Sequence, residues 1–318
     1  MRPFRFPPPG IRERKCTVVS DHVTLPLRGP LPILTAAVLW GSTGTASSLA
    51  PGGAPAAAVG AAGLALGGLL LVLSGLGVRP SFSGPEWRSL TVGAVAVAGY
   101  PLTFYPAVAR TGVAVATVVA LCSAPVFAGL IAGMRDRSLP STHWLCATTA
   151  AVLGCAVLVL GPRFTGAQGG VDGLGVALAV LAGLTYVLYS RIGGELIGRG
   201  HPSGAVMGVL FGVAGLLVLP VLLAADTAWL GTVRGAAVAV HLAFFTTFLA
   251  YRLFGYGLRH TPVEVATTLT LAEPAVAAVL GVVIVGERLP LVSWCGLAVL
   301  GAGLALLTLA PARPSRAV

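Results

Sequence analysis

The sequence predicts an all-α integral membrane protein in which ten transmembrane helices form two inverted five-helix repeats. Its composition favours a membrane protein, because 56% of the 318 residues are hydrophobic and only 9% are charged. Apolar runs of roughly 20 residues, the length that crosses about 30 Å of hydrocarbon as a helix, recur between residues 31 and 309. A similarity between the two halves of the chain predicts the repeat.

Ten apolar segments separated by proline-containing breaks are expected to be the membrane helices. The predicted spans are 31–49, 55–78, 89–109, 112–133, 142–160, 171–190, 202–224, 235–257, 263–285 and 291–309. Residues 1–30 are rich in basic residues and have no apolar core, which argues against a cleavable signal peptide. We expect a disordered basic cytoplasmic tail there, unless the true start lies downstream, and a second tail at 310–318.

Basic residues are distributed unevenly over the predicted loops. Sixteen of the 20 Lys and Arg residues fall on the side that holds both termini. The positive-inside rule therefore places both termini in the cytoplasm and the chain in the inner (plasma) membrane as a multi-pass protein. The net charge of +10 is scattered rather than gathered into a stripe, so the expected surroundings are the lipid bilayer and no nucleic acid is expected to bind.

The two halves of the chain resemble each other at a separation of 150 residues. Residues 113–117 match 263–267, Leu121 matches Leu271, and Trp144 matches Trp294. The predicted units are 31–161 and 171–309. Because five helices is an odd number, the second unit enters the membrane the opposite way up, an arrangement typical of secondary transporters.

Three short motifs carry a resemblance to a known family. They are Trp40-Gly41-Ser42 in the first span, Ala272-Glu273-Pro274 in the ninth, and residues 285–289 (Val-Gly-Glu-Arg-Leu) before the tenth. Together they resemble the EamA-like permeases of the drug/metabolite transporter superfamily. The resemblance implies ten helices, a duplicated domain, cytoplasmic termini and transport of amino acids or other small metabolites, often outward. The first repeat has Ala124-Pro125 where the second has Glu273-Pro274, which argues against a symmetric two-site mechanism.

Glu273 is the first candidate for a functional site because a carboxyl in mid-membrane must be neutral, paired or facing water. One hypothesis is a carboxyl that couples protons or binds a substrate amine. The alternative is local, since Pro274 frees the carbonyl of Thr270 and a protonated Glu273 could help to reorganise that break.

Two further ionisable side chains lie in the eighth span. Arg252 is a candidate partner for Glu273 or for a substrate carboxylate, but a guanidinium near a helix end also extends to the headgroups. His241 is either part of a proton relay or a satisfied interface residue, and the second interpretation is the commoner one.

Polar and aromatic residues of three spans complete the candidate site. Trp40 and Ser42 in the first span, with Tyr186 and Tyr189 in the sixth, are expected to line a central cavity or, alternatively, to belong to interfacial belts. Tyr100 and Tyr105 each precede a proline, so the third span has two interruptions of its backbone hydrogen bonds, as at a substrate site, a hinge or a static kink.

The predicted function is transport of a small-molecule substrate, with protons as a candidate coupling ion. Four of the five cysteines lie in apolar segments and none has CxxC spacing, so neither a metal nor another cofactor is expected. A membrane-embedded enzyme is the second hypothesis, although the chain lacks HExxH, GxSxG and GxxxxGK motifs. A channel is the third, because a selectivity filter can be built from backbone alone.

Overall fold

Ten helices build the protein in the computed structural model, which describes residues 28–75, 82–136, 141–164, 172–286 and 288–309. The first five helices are α1 (Pro30–Ser48), α2 (Ala56–Gly75), α3 (Gly84–Thr111), α4 (Val113–Asp136) and α5 (Thr142–Phe164). The next two are α6 (Gly173–Gly198) and α7 (Ser203–Ala224), and the last is α10 (Leu291–Leu309). The predicted tails at 1–30 and 310–318 lie outside the described residues except for 28–30.

Helices α8 and α9 are composite. Helix α8 consists of Val233–His241, a π-helical segment Leu242–Leu249, and Ala250–Leu258. Helix α9 consists of Val263–Leu269 and Ala272–Leu280, followed by a π-helical turn, Gly281–Val285. Helix α9 therefore covers the predicted span 263–285, and the break expected next to Pro274 lies between Leu269 and Ala272.

The helical class is confirmed in the described ranges, which contain no strand. Nine of the helices in these ranges are long and apolar enough to cross a membrane. Helix α1 is the tenth, and hydroxyl side chains make its second half more polar. Two predicted ends are wrong: α3 begins at Gly84 rather than at 89, where Ser83 and Glu86 form a capping box, and α6 continues to Gly198 rather than ending at 190.

Consecutive helices alternate in direction, so the structure has two faces. We call the face at which α1 begins the terminal face and the other the opposite face. On the terminal face, Glu195 of α6 pairs with Arg135 of α4, and Glu86 of α3 lies 3.0 Å from His201. On the opposite face, Arg110 of α3 pairs with Asp172, the N-cap of α6, at 2.9 Å. This hydrogen bond lowers the pKa of Asp172.

The helix contacts of the two halves correspond to each other. Helix α1 packs on α8 and α9, and α6 packs on α3 and α4, the helices five positions earlier than α8 and α9. Helix α2 pairs with α7, and α5 pairs with α10. This pattern supports the predicted two-fold relation between the halves.

Glycines with GxxxG spacing, Gly63 with Gly67 and Gly208 with Gly212, allow close helix contacts. A Cβ on Gly67 would lie 2.7 Å from the Ala243 carbonyl of α8, and a Cβ on Gly208 would lie 3.1 Å from the Leu71 carbonyl of α2. Both glycines therefore act in packing.

Candidate functional site

Aromatic side chains from four helices meet in the interior of the bundle. The ring of Tyr251 in α8 lies 4.9 Å from that of Trp40 in α1 and 3.8 Å from that of Phe211 in α7. Its hydroxyl is 3.0 Å from the hydroxyl of Tyr189 in α6. Tyr186 packs on Tyr189 at a ring-centroid distance of 5.4 Å. We call these five residues the aromatic cluster.

The aromatic cluster lies deep in the bundle. At 1.5 Å per residue, Trp40 and Glu273 are each about 15 Å along their helices from the terminal face, and Tyr189 is about 14 Å from it. Trp40, Tyr186 and Tyr189 are buried, whereas Tyr251 is half-buried. The cluster therefore lies near mid-membrane and not in an interfacial belt. This placement favours the cavity hypothesis for Trp40, Tyr186 and Tyr189.

Trp40 is held by the π-helical segment of α8. Its indole Nε1 donates a hydrogen bond to the carbonyl of Thr246 at 2.9 Å. A π-helical turn moves carbonyls out of the regular i→i−4 pattern, and such turns occur often at functional sites. The hydroxyl of Thr246 donates to the Leu242 carbonyl at 2.7 Å, which supports the same turn.

Glu273 lies at the break of α9, one residue into the second helical part. A Cβ on Gly41 of α1, the residue after Trp40, would lie 2.9 Å from the Glu273 carbonyl, and Thr270, three residues earlier, accepts a hydrogen bond from Tyr186. Glu273 is partly exposed although it is in mid-helix. Among the described residues, no hydrogen bond or ion pair to its carboxyl group is formed. Glu273 is thus an acidic group near mid-membrane without a protein partner in the described residues.

The backbone at the break is satisfied without the side chain of Glu273. Pro274 has no N–H to donate to Thr270, but the N–H of Glu273 itself donates to the Thr270 carbonyl at 3.0 Å. The hydroxyl of Tyr186 donates to Thr270 Oγ1 at 3.1 Å. This geometry disfavours the local hypothesis, in which the carboxyl repairs the break.

Tyr100 and Tyr105 lie on one uninterrupted helix. Helix α3 continues through Pro101 and Pro106, which have no N–H to donate, so the two predicted interruptions of its hydrogen bonds lie within one helix. Tyr100 is half-buried, and its ring stacks on Phe104 at 5.4 Å. The hydroxyl of Tyr105 instead abuts Gly60 of α2, so only Tyr100 joins the group around Glu273.

Ser42 lies on the outer side of α1, where it contacts His241 of α8. Ser42 is four residues after Val38 and eleven after Leu31, and both of these are about half exposed, so the three share the outward stripe of the helix. The Oγ of Ser42 lies 2.9 Å from Nε2 of His241. The pair therefore joins α1 to α8 on the outer side, away from the aromatic cluster.

Arg252 also faces away from the aromatic cluster. Its guanidinium lies 3.5 Å from Ser74 Oγ at the end of α2 and abuts Gly204 at the start of α7. Both residues are at the terminal face. The position fits a side chain that extends to the headgroups and not a partner of Glu273.

Packing around the aromatic cluster differs on its two sides. The buried residues of α1 end at Gly41, and four of the seven residues of Val263–Leu269 in α9 are buried. Beyond the break, Pro274 is the one buried residue of Ala272–Leu280. The buried residues of α1 and α9 therefore lie mainly between the aromatic cluster and the terminal face.

The model of one protein family matches the chain twice, at residues 27–160 and 173–309, and its description is the EamA-like transporter family. The chain belongs to the EamA-like transporter family. The resemblance of its three motifs to that family is confirmed.

Named relatives of this EamA-like chain are transporters. The uncharacterized transporter YwfM of Bacillus subtilis (strain 168) is 34% identical over 90% of this chain and 95% of its own length. The threonine/homoserine exporter RhtA of Escherichia coli (strain K12) is 30% identical over 83% of this chain and 86% of its own length. The crystal structure of another protein matches this chain with a TM-score of 0.74 at 22% identity, over 88% of this chain and 96% of that one. This likeness shows that the two proteins share the fold.

The coarse function follows from these relations. The protein is a multi-pass membrane transporter of the EamA-like family, and its relatives with named roles are transporters rather than enzymes. No group of three His, Cys, Asp or Glu side chains suited to a metal ion occurs in the described parts of the chain.

Three residues of the site, Phe211, Tyr251 and Thr270, were not predicted from the sequence. Tyr251 contacts three of the other cluster residues, and Thr270 bonds Tyr186. Tyr251 stands beside Arg252, the more conspicuous residue, and the helical rotation that separates the two side chains is set by packing. The sequence signal that could have identified Thr270 is its place four residues before Pro274.

Proposed function

We propose that this protein is a secondary transporter that exports a small amine-bearing metabolite, an amino acid or a similar compound, across the plasma membrane. The observation that supports the proposal most directly is Glu273, a partly buried acidic residue whose backbone packs against Gly41, the residue after Trp40. A charge in mid-membrane costs roughly 2.5–3.5 kcal/mol on insertion scales, so a group kept there without a partner has a function. That function is to hold a substrate amine or a coupling proton.

Alternating access is the mechanism that the architecture supports best. The matched contacts of α1 with α9 and of α6 with α4 fit two inverted units, 31–161 and 171–309, that rock around a fixed central site. In this arrangement Thr117 of α4 and Thr267 of α9 occupy equivalent positions in the two units. Coordinates of a second conformation would test it, because the two units should then move as related bodies.

The uneven burial of α1 and α9 fits one state of such a cycle. Their buried residues lie mainly between the aromatic cluster and the terminal face, where Glu195 and Glu86 also form ion pairs. If the terminal face is cytoplasmic, as the basic residues predict, this is an outward-facing state. Export by the relative RhtA, a threonine/homoserine exporter, supports the outward direction.

Counterflow in proteoliposomes tests the proposal. Vesicles loaded with unlabelled L-threonine or L-homoserine should accumulate the labelled amino acid transiently, which a channel does not support. Glu273→Gln keeps the size and hydrogen-bonding capacity of the neutral acid, and we expect about a hundredfold loss, the scale of a lost charge-assisted contact.

Glu264→Gln is the matched control. Glu264 is on the same helix, about 14 Å nearer the terminal face, and its side chain is also partly exposed. This variant should transport within about twofold of the parent, the effect of a change of less than about 0.5 kcal/mol. Normal counterflow by the Glu273→Gln variant, with unchanged pH dependence, would remove Glu273 from the mechanism.

A further inference from the structure

The three basic side chains nearest mid-membrane on the described helices all have partners away from the aromatic cluster. Arg252 lies 3.5 Å from Ser74 at the terminal face. Arg191 of α6 lies 3.4 Å from Glu195, the residue that also pairs with Arg135. His241 lies 2.9 Å from Ser42 on the outer side of α1. None of these three side chains is placed to balance the charge of Glu273.

The groups that remain for a ligand are acidic or aromatic. The Glu273 carboxyl has no partner in the described part of the chain, and the Tyr100 hydroxyl likewise has no hydrogen bond there. Both residues are partly exposed, and Tyr251 adds a half-buried ring. A carboxylate beside aromatic rings is the arrangement that binds organic cations, because a ring face attracts positive charge.

This site has opposite effects on the binding of the two charged groups of a zwitterionic amino acid. Its ammonium group gains a charge-assisted hydrogen bond to Glu273. Its carboxylate loses water, comes close to a like charge, and finds no cationic partner among Arg252, Arg191 and His241, which have partners elsewhere. An amide in place of the carboxylate removes this cost and still bonds a phenol.

We infer that the site selects its substrate by the ammonium group and not by the carboxylate, so that it accepts small primary amines whose carboxyl group is absent or masked. This inference rests on the proposed function and deepens it, because it names the recognised group. The preferred substrate class is the small monocation with a primary amine, and a free amino acid is the weaker ligand.

Competition in the counterflow assay separates the two ends of the substrate. L-Threonine amide keeps the ammonium group and masks the carboxylate, whereas N-acetyl-L-threonine does the opposite. We expect the amide to inhibit counterflow of labelled L-threonine at least as strongly as unlabelled L-threonine. We expect N-acetyl-L-threonine to inhibit about 10- to 100-fold more weakly, the scale of a lost hydrogen bond to a charged group. Inhibition by the N-acetyl compound with none by the amide would overturn the inference and leave the transport function standing.

A binding measurement separates the two proposals if L-threonine is not a substrate. Isobutylammonium should raise the thermal unfolding temperature of the purified protein, and Glu273→Gln should abolish that shift, whereas Glu264→Gln should retain it. A Glu273-dependent shift without threonine counterflow would support the amine site and contradict the amino-acid substrate. An equal shift in both variants would overturn the inference even if threonine is transported.

Discussion

Helices α4 and α9 correspond in sequence, but only one of them is broken. Both contain a proline at nearly matching positions, Pro125 in α4 and Pro274 in α9. In α4 the hydroxyl of Ser123 donates to the Ala120 carbonyl and the helix continues from Val113 to Asp136. In α9 the corresponding carbonyl, that of Thr270, accepts the N–H of Glu273 and the helix breaks. A proline therefore does not by itself decide whether a helix breaks.

The partners of the two helices differ as well. Helix α6 packs on α4 through Gly183, and α1 packs on α9 through Gly41. A Cβ on Gly183 would meet the Ser123 hydroxyl and the Ala120 carbonyl of α4, whereas a Cβ on Gly41 would meet the Val276 side chain and the Glu273 carbonyl of α9. One unit therefore supplies a continuous helix at this contact, and the other supplies the irregular backbone and the carboxyl group.

The largest expected effect is on the stability of the α4–α6 contact. A Cβ on Gly183 would meet the Ala120 carbonyl at 2.5 Å, and backbone cannot yield as a side chain does, so Gly183→Ala should cost about 2–3 kcal/mol. A Cβ on Gly41 would meet Val276 at 2.7 Å and the Glu273 carbonyl at the longer distance of 2.9 Å, so Gly41→Ala should cost about 1–2 kcal/mol. Thermal unfolding in detergent measures both. A smaller loss at Gly183 than at Gly41 would contradict the expected order of the two contacts.

The two prolines should differ in their effect on transport. Pro274→Ala lets the segment around Thr270 regain a regular helix and moves Glu273, so counterflow should fall about tenfold or more, as misplaced reacting groups generally cause. Pro125→Ala should leave it within about twofold, because α4 is already continuous. Equal effects of the two substitutions would mean that the break of α9 has no special role.

Removal of the hydroxyl of Tyr186 tests what keeps the break in place. Tyr186→Phe deletes the 3.1 Å hydrogen bond to Thr270, and the stability should fall by about 1 kcal/mol. Thr270→Val deletes the other partner, and the double variant should lose less than the sum of the two single losses. Fully additive losses in thermal unfolding would show that the pair is not coupled.

The smallest effect is expected at Arg252. Its guanidinium is exposed and makes a long contact with Ser74, so Arg252→Gln should change the stability by less than about 0.5 kcal/mol and leave counterflow near the parent level. A strong transport defect in this variant would restore Arg252 as a functional partner and would contradict the amine-selective site.

Much of the site was predictable because its residues are unusual for their surroundings. A mid-membrane carboxyl such as Glu273 stands out in an apolar segment, and Trp40, Tyr186 and Tyr189 stand out beside small residues. Their rotations were not predictable. Ser42 and Trp40 are two residues apart, but one bonds His241 on the outer side and the other joins the aromatic cluster. A helix of uniformly apolar residues has no amphipathic signal that fixes its rotation.

The sequence by itself determined the helical class, the number and limits of most spans, and the presence of one acidic group in mid-membrane. Hydrocarbon forces every backbone group to be satisfied within its own segment, so apolar length alone specifies a helix there. The tertiary structure decided where the regular α-helix is interrupted. The π-helical segment of α8 bonds Trp40, which is about 200 residues away in the chain. The break of α9 bonds Tyr186 from another helix and the N–H of Glu273, which replaces a regular helical bond. Such partners exist only once the helices have packed.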